Sequence, residues 1–268
     1  MKLRPGSGAA AADSTGEMSL FEHLAELRMR IVRAGLAIML GAILVMAFYD
    51  QVLRRLTEPY RALCERKGPA YCGLEEGQEV SLVILDPIEG FSTRLKISFY
   101  GGLILGLPVV LWQLWKFIVP ALHKNEKRYA FGFVISTVTL FLCGGFIAFL
   151  TLEAALDFLI GWAGEGVTPE FRVQAYVRLV TLMVFAFGVG FTIPVLLVFM
   201  QLIGMVKPGQ LLGAWRYAIV GIFFLAAAIT PSGDPISLLA LSLPMTVLYF
   251  VAILIGWIIH RRRRSTKA

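Results

Sequence analysis

The chain has 268 residues, of which 57% are hydrophobic and 16% are charged, with a formal net charge of +7 and a mean hydropathy of +0.74. A chain this apolar is not a water-soluble domain, and it is too long for a single membrane span, so the sequence predicts an all-α polytopic membrane protein. The bases lie at the ends of apolar runs, which is typical of contact with a membrane surface rather than with nucleic acid, and we expect no nucleic-acid partner.

The predicted elements follow the apolar windows of the sequence. Residues 1–18 are small and polar, without an apolar signal region, and predict a disordered tail. Ser19 followed by Glu22 fits a capping box, so a helix begins here and runs into the first span. Apolar windows without charge then cover residues 34–49, 97–115, 129–152, 179–206, 217–233 and 235–259.

These windows predict six transmembrane helices, because a span needs about 20 mostly apolar residues. We expect the last two spans to be short and joined by a tight turn at residues 230–235. The predicted membrane domain covers residues 19–259, with an outer loop at residues 50–96 and a basic tail at residues 260–268. Basic residues after spans two and four and at the C-terminus place both termini in the cytoplasm.

Two acids occur at predicted membrane edges on the cytoplasmic side. In FEHLAELRMR, residues 21–30, Glu26 is four residues from both Glu22 and Arg30, so the three share a helix face. One interpretation is a solvated helix start whose acids suit the helix dipole, and the other is an acidic surface for a cationic ligand. Glu126, which begins a helix after Pro120, allows the same two interpretations. Two carboxylates on one scaffold are able to bind guanidinium groups in bidentate pairs.

The sequence shows no apparatus for catalysis or metal binding. Asp234 is the acid nearest to the membrane interior, three histidines are scattered, and the HExxH and GxSxG motifs are absent. We therefore expect no enzyme, metal or cofactor. A small-solute carrier remains an alternative, although it predicts matched broken helices that the sequence does not show.

Four motifs on these six spans resemble the TatC family, the multispanning core subunit of the twin-arginine protein translocase. They are HLAELR at residues 23–28, LWKFIVPALHKNEKR at 114–128, FGVGFTIPV at 187–195 and TPSGDPIS at 230–237. The resemblance implies a concave bundle in the bacterial cytoplasmic membrane that binds twin-arginine signal peptides. It also implies export of folded proteins driven by the proton-motive force, with TatA-type and TatB-type single-span subunits, further copies of the chain and membrane lipid as partners.

The resemblance also implies roles for individual residues. Those that it assigns to signal-peptide binding are Glu26, Leu27, Arg28, Phe117 and Glu126. Structural or partner-contact roles fall to Pro59, Pro120, Thr192, Thr230 and Asp234. Thr192 stands where the family often has a glutamate, and its hydroxyl is expected to bond a neighbouring helix or water, or else its own helix.

Two cysteines lie in the predicted outer loop. Cys64 and Cys72 are close in sequence, and an oxidising compartment permits a disulfide there. Our hypothesis is a structural bridge, and a pair of free thiols is the alternative.

Overall fold

The computed structural model describes residues 20–73, 82–118, 130–164 and 171–265. Within these ranges the chain forms eight α-helices and a 3-10 turn at Pro69–Cys72, and its β-pairing is an isolated bridge between Val83 and Arg172. The helices are α1 Leu20–Ala47, α2 Tyr49–Lys67, α3 Pro87–Ile118, α4 Ala130–Trp162, α5 Val173–Leu202, α6 Pro208–Gly213, α7 Trp215–Ile229 and α8 Pro235–Ser265.

Five of these helices are long and apolar enough to cross a bilayer. The qualifying segments are Leu24–Ala47, Pro87–Phe117, Phe131–Trp162, Val173–Leu202 and Pro235–Arg261. The remaining apolar helix, α7, has 15 residues and is about 22 Å long, less than the hydrocarbon core of about 30 Å. The protein is therefore a multi-pass membrane protein, while the sixth span, the concave shape and the position of the termini stay predictions.

The expectation that the last two spans are both short is wrong for the last one. Helix α8 has 31 residues, and its apolar segment alone is 27 residues long. Pro244 lies inside this helix without ending it, as neighbouring helices allow in a membrane bundle. The basic run after the apolar segment also continues the helix. Only α7 is short.

Helices α1 and α3 pack against each other in antiparallel directions through glycines. A Cβ atom at Gly102 would lie 2.5 Å from the Ala42 backbone nitrogen and 2.6 Å from the Ile38 carbonyl oxygen. One at Gly41 would lie 2.9 Å from the Gly102 carbonyl oxygen. Small residues bring membrane helices this close, and the close approach provides the van der Waals contact that holds them together.

The core lies among α4, α5 and α8, with α2 covering one end. Its fully buried side chains include Phe187 and Met183 of α5 and Leu241 and Met245 of α8. Helices α4 and α5 also approach each other closely at a glycine. A Cβ atom at Gly144 would lie 2.5 Å from the Phe187 carbonyl oxygen. Helix α7, by contrast, buries only Ala226.

The predicted outer loop contains a helix that the hydropathy windows do not show. Helix α2 is amphipathic, and its buried residues include Thr57, Pro59, Tyr60, Leu63 and Cys64. The Tyr60 ring packs edge-on against Phe171, with centroids 5.1 Å apart. Helix α3 also begins inside the predicted loop, at Pro87. We call this part of the bundle the α2 end, and the opposite part, where α1 begins and α3 ends, the Glu26 end.

Candidate functional site

Glu26 lies in the second turn of α1 and forms an ion pair with Arg30, one helical turn later. The Arg30 Nη2 group donates to the Glu26 Oε1 atom. The Arg30 side chain is 14% exposed, and the Glu26 side chain is 28% exposed. This is the pair that the spacing predicts. Two buried atoms of the pair, Glu26 Oε2 and Arg30 Nε, have no hydrogen-bond partner among the described residues.

The other predicted residues of this site lie on α1 and at the end of α3. Leu27 is half-buried, Arg28 is exposed, and Phe117 is half-buried in the last turn of α3. The antiparallel register set by Gly41 and Gly102, extended along both helices, brings Glu26 level with the last turn of α3. The structure thus places the HLAELR motif at the same end of the bundle as Phe117.

An aromatic cluster supports this end from inside. The Trp115 ring is 2% exposed, and its centroid lies 4.8 Å from that of Phe133 and 5.0 Å from that of Phe199. The cluster joins α3, α4 and α5 at this end of the bundle. Within the described part of the chain, the buried Trp115 Nε1 and Gln113 Oε1 atoms also have no hydrogen-bond partner.

Two predicted residues cannot be placed. Glu126 and Pro120 lie outside the described residues. The second carboxylate of the predicted site therefore stays a prediction.

Thr192 bonds its own helix. Its hydroxyl donates to the Val189 carbonyl oxygen at 2.7 Å, which is the local bond that threonine often makes inside membrane helices. No side-chain carboxylate stands at this position.

Asp234 and Thr230 cap the helices at the turn between α7 and α8. Asp234 is fully buried, its Oδ1 atom accepts from the Ser237 backbone N–H at 2.6 Å, and its Oδ2 atom accepts from the Ser232 hydroxyl. Pro235 follows as the first residue of α8, the usual order for a capped helix start. The Thr230 hydroxyl donates to the Ala226 carbonyl oxygen at 2.9 Å. This geometry favours the structural role.

Pro59 is buried within α2, on the face that packs against the bundle. Its neighbour Tyr60 lies against Tyr176, with ring centroids 6.0 Å apart. The Tyr176 hydroxyl in turn donates to the Leu56 carbonyl oxygen at 2.7 Å. Pro59 therefore lies in the packed contact between α2 and the rest of the bundle.

Cys64 and Cys72 are joined as a disulfide in the structure, with Cα atoms 5.7 Å apart. Between them, Tyr71 donates its hydroxyl to the Asp157 carboxylate of α4 at 2.8 Å. Burial, followed by this hydrogen bond, raises the pKa of the Tyr71 hydroxyl above its ordinary value. Lys67 adds an ion pair to Asp157 at 3.1 Å, so the bridge lies beside the contacts that hold α2 on α4.

Sequence reasoning missed Glu89, which is 6% exposed and buried at the α2 end. Its Oε1 atom accepts from the Gln174 backbone N–H and its Oε2 atom from the Leu85 N–H, each at 3.1 Å. The Glu89 carboxylate, which belongs to α3, thereby caps the start of α5. It replaces the usual N-cap side chain, because Arg172 at that position makes no side-chain cap bond. The DPIE pattern at residues 86–89 resembles a capping box and was the signal that would have found both Glu89 and the start of α3.

Metal ligands do not cluster in the described part of the chain, where no group of three or more His, Cys, Asp or Glu side chains is able to hold an ion.

Comparison with known proteins agrees with the sequence motifs. The family profile described as Sec-independent protein translocase protein (TatC) matches residues 22–244. A protein of that name from Frankia casuarinae is 37% identical over 91% of this chain and 67% of its own length. One from Koribacter versatilis is 35% identical over 93% of this chain and 89% of its own.

A solved structure supports the fold as well. The crystal structure of a twin arginine translocase receptor, TatC, superposes with a TM-score of 0.67 at 33% identity, over 88% of this chain and 99% of that one. Because the family profile matches most of the chain and these relatives exceed 30% identity over more than 90% of it, this chain belongs to the TatC family of Sec-independent protein translocase proteins.

Proposed function

We propose that this translocase component, which is not an enzyme, is the receptor and core subunit that binds twin-arginine signal peptides. The single observation that carries the proposal is the incomplete ion pair of Glu26 with Arg30, at the end of the bundle where the family motif lies. The similar protein of known crystal structure is a twin arginine translocase receptor, which supports the same role here.

The binding step relies on exchange of guanidinium groups at Glu26. An ion pair four residues apart on a helix stabilises by only about 0.3–0.5 kcal/mol, so Arg30 is a weak competitor. A peptide arginine that pairs with both carboxylate oxygens gains a second charge-assisted hydrogen bond, at the Oε2 atom that Arg30 leaves without a partner. Reaching that buried atom requires the partly exposed Glu26 side chain to turn outward. Arg30 thus holds the carboxylate until the peptide arrives.

In this proposal, the rest of the signal peptide binds at the same end of the bundle. Leu27 and Phe117 supply apolar surface next to Glu26 for the residues that follow the arginines, and Glu126 takes the second arginine. The peptide's apolar segment then packs along the concave bundle. Folded cargo crosses the bacterial cytoplasmic membrane with energy from the proton-motive force, together with TatA-type and TatB-type subunits and further copies of this chain.

The proposal also includes a membrane topology for the chain. Six spans, with α7 crossing where the bilayer is thin, put both termini in the cytoplasm and the α2 end outside, where the disulfide of Cys64 and Cys72 is compatible with the oxidising compartment. The small-solute carrier gains no support from Asp234, because both oxygens of its carboxylate accept hydrogen bonds within the turn.

Photo-crosslinking tests the location of the site. A photoreactive residue is placed at Leu27, at Phe117 or, as a control, at Ile88 of the α2 end, which is 70% exposed. We expect a twin-arginine peptide to crosslink at Leu27 and Phe117 but not at Ile88, and a twin-lysine peptide to crosslink less, since lysine cannot form the bidentate pair. Equal crosslinking at all three positions, or no discrimination between the peptides, would contradict the proposal.

A further inference from the structure

A cavity at the α2 end, remote from Glu26, combines positive charge with an apolar wall. Its volume is about 570 Å³, and it is lined by α5, by the start of α3 at Glu89 and by Pro231 of the turn before α8. Gln174, Arg178 and Leu182 of α5 line it at intervals of four residues, so they form one stripe along that helix. The stripe changes from polar to apolar toward the membrane interior.

The net charge of this cavity is positive because two arginines, Arg172 and Arg178, line it against one acid, Glu89. Both Glu89 oxygens accept backbone N–H groups at 3.1 Å. Arg172 is close enough to Glu89 to interact electrostatically, but no ion pair within 4.0 Å joins Arg172 or Arg178 to any acid of the described residues. Both arginines are exposed. Two guanidinium groups therefore face the cavity with donors available to a ligand.

The backbone that carries Arg172 is held in place from both sides. The Val83 N–H donates to the Phe171 carbonyl oxygen at 3.0 Å, and the Val173 N–H donates to the Val83 carbonyl oxygen at 3.1 Å. Glu89 fixes the next turn through Gln174. Binding there would not require the backbone to be ordered first, and this lowers the entropic cost of binding.

Depth in the bilayer points to the kind of ligand. Residues 179–202 of α5 extend about 36 Å, slightly more than the hydrocarbon core of about 30 Å. Arg172 and Arg178 then lie at the headgroup level, while Leu182, which is 41% exposed, lies at the level of the first acyl carbons. A ligand that fits has an anionic headgroup and an apolar chain.

We propose that this cavity binds the phosphate headgroup of an anionic phospholipid in the leaflet at the α2 end, with its acyl chain along Leu182. Arg172 and Arg178 donate to the phosphate oxygens, Gln174 bonds the rest of the headgroup, and the lipid seals the junction of α3, α5 and the turn before α8. The site is independent of signal-peptide binding, which takes place at the opposite end.

Lipid titration by native mass spectrometry of the purified full chain tests this site. The probes are phosphatidylglycerol and phosphatidylcholine with the same acyl chains, and the variants are the double substitution Arg172→Gln with Arg178→Gln and the single substitution Arg178→Gln. The matched control is Arg54→Gln with Arg61→Gln, which removes the same charge from the exposed face of α2. A melting curve without lipid checks that every variant is folded.

We expect phosphatidylglycerol to bind the wild type more tightly than phosphatidylcholine does. The double variant should lose about 30-fold in affinity and the single variant about fivefold, whereas the control should change little. Equal losses in the control, or equal binding of the two lipids, would overturn the proposal. Competition by soluble glycerol 1-phosphate at the same concentrations would overturn it too, since the site would then bind a small anion and not a lipid.

Discussion

Replacement of Gly102 by alanine should separate α1 from α3. The added Cβ atom would lie 2.5 Å from the Ala42 nitrogen and 2.6 Å from the Ile38 oxygen, and both are backbone atoms that cannot rotate away. Normal contact distances start near 3.5 Å, so α1 must retreat by about 1 Å. Overpacking of this kind costs about 1–3 kcal/mol.

Gly35→Ala in α1 is the matched control, because nothing lies within 4 Å of its added Cβ atom. Both substitutions gain the same helix propensity, up to about 1 kcal/mol, so this gain cancels in the comparison. Thermal unfolding in a mild detergent should show Gly102→Ala less stable than Gly35→Ala by about 1–3 kcal/mol. Equal stability of the two variants would refute the close packing of α1 on α3.

Three further substitutions test separate parts of the structure. Arg30→Gln frees the Glu26 carboxylate and should tighten binding of a twin-arginine peptide about twofold, measured by fluorescence titration. Glu89→Ala removes the cap of α5 and should lower the melting temperature, with Glu89→Gln between it and the wild type. Cys64→Ser opens a bridge between residues eight apart and should destabilise by about 2–3 kcal/mol, with Cys72→Ser giving the same loss.

Each of these three predictions has a result that contradicts it. Weaker peptide binding in Arg30→Gln would mean that Arg30 contributes to the site and is not displaced. A Glu89→Ala variant as stable as Glu58→Ala, an exposed acid of α2, would remove the capping role. Full thiol labelling of Cys64 and Cys72 before reduction would show that they are not bridged.

The long helices were predictable because hydropathy acts over about 20 residues at a time. The same property hid α2, whose apolar residues alternate with charges and therefore average out, although Leu56, Tyr60 and Leu63 follow helical spacing. The length of α8 was also misjudged. The basic run was assigned to a tail at residues 260–268, yet the helix continues to Ser265.

Charged and polar contacts between distant segments were harder to predict than the helices. The i,i+4 pairing of Glu26 with Arg30 is local, so spacing alone predicts it. The bonds of Glu89 to the backbone of Gln174 and of Tyr71 to Asp157 each cross about 85 residues, and they depend on which helices pack together. One sequence contains no direct signal for that packing.

The affinity coupling between Glu26 and the peptide arginines tests the central claim most directly. A double-mutant cycle combines wild type and Glu26→Gln with twin-arginine and twin-lysine peptides, and Glu126→Gln is measured in the same way. We predict that changing arginine to lysine weakens binding to the wild type much more than to Glu26→Gln, with a coupling energy of roughly 0.5–3 kcal/mol. If the loss from arginine to lysine is the same in the wild type and in both variants, neither carboxylate recognises the twin arginines and the receptor site lies elsewhere.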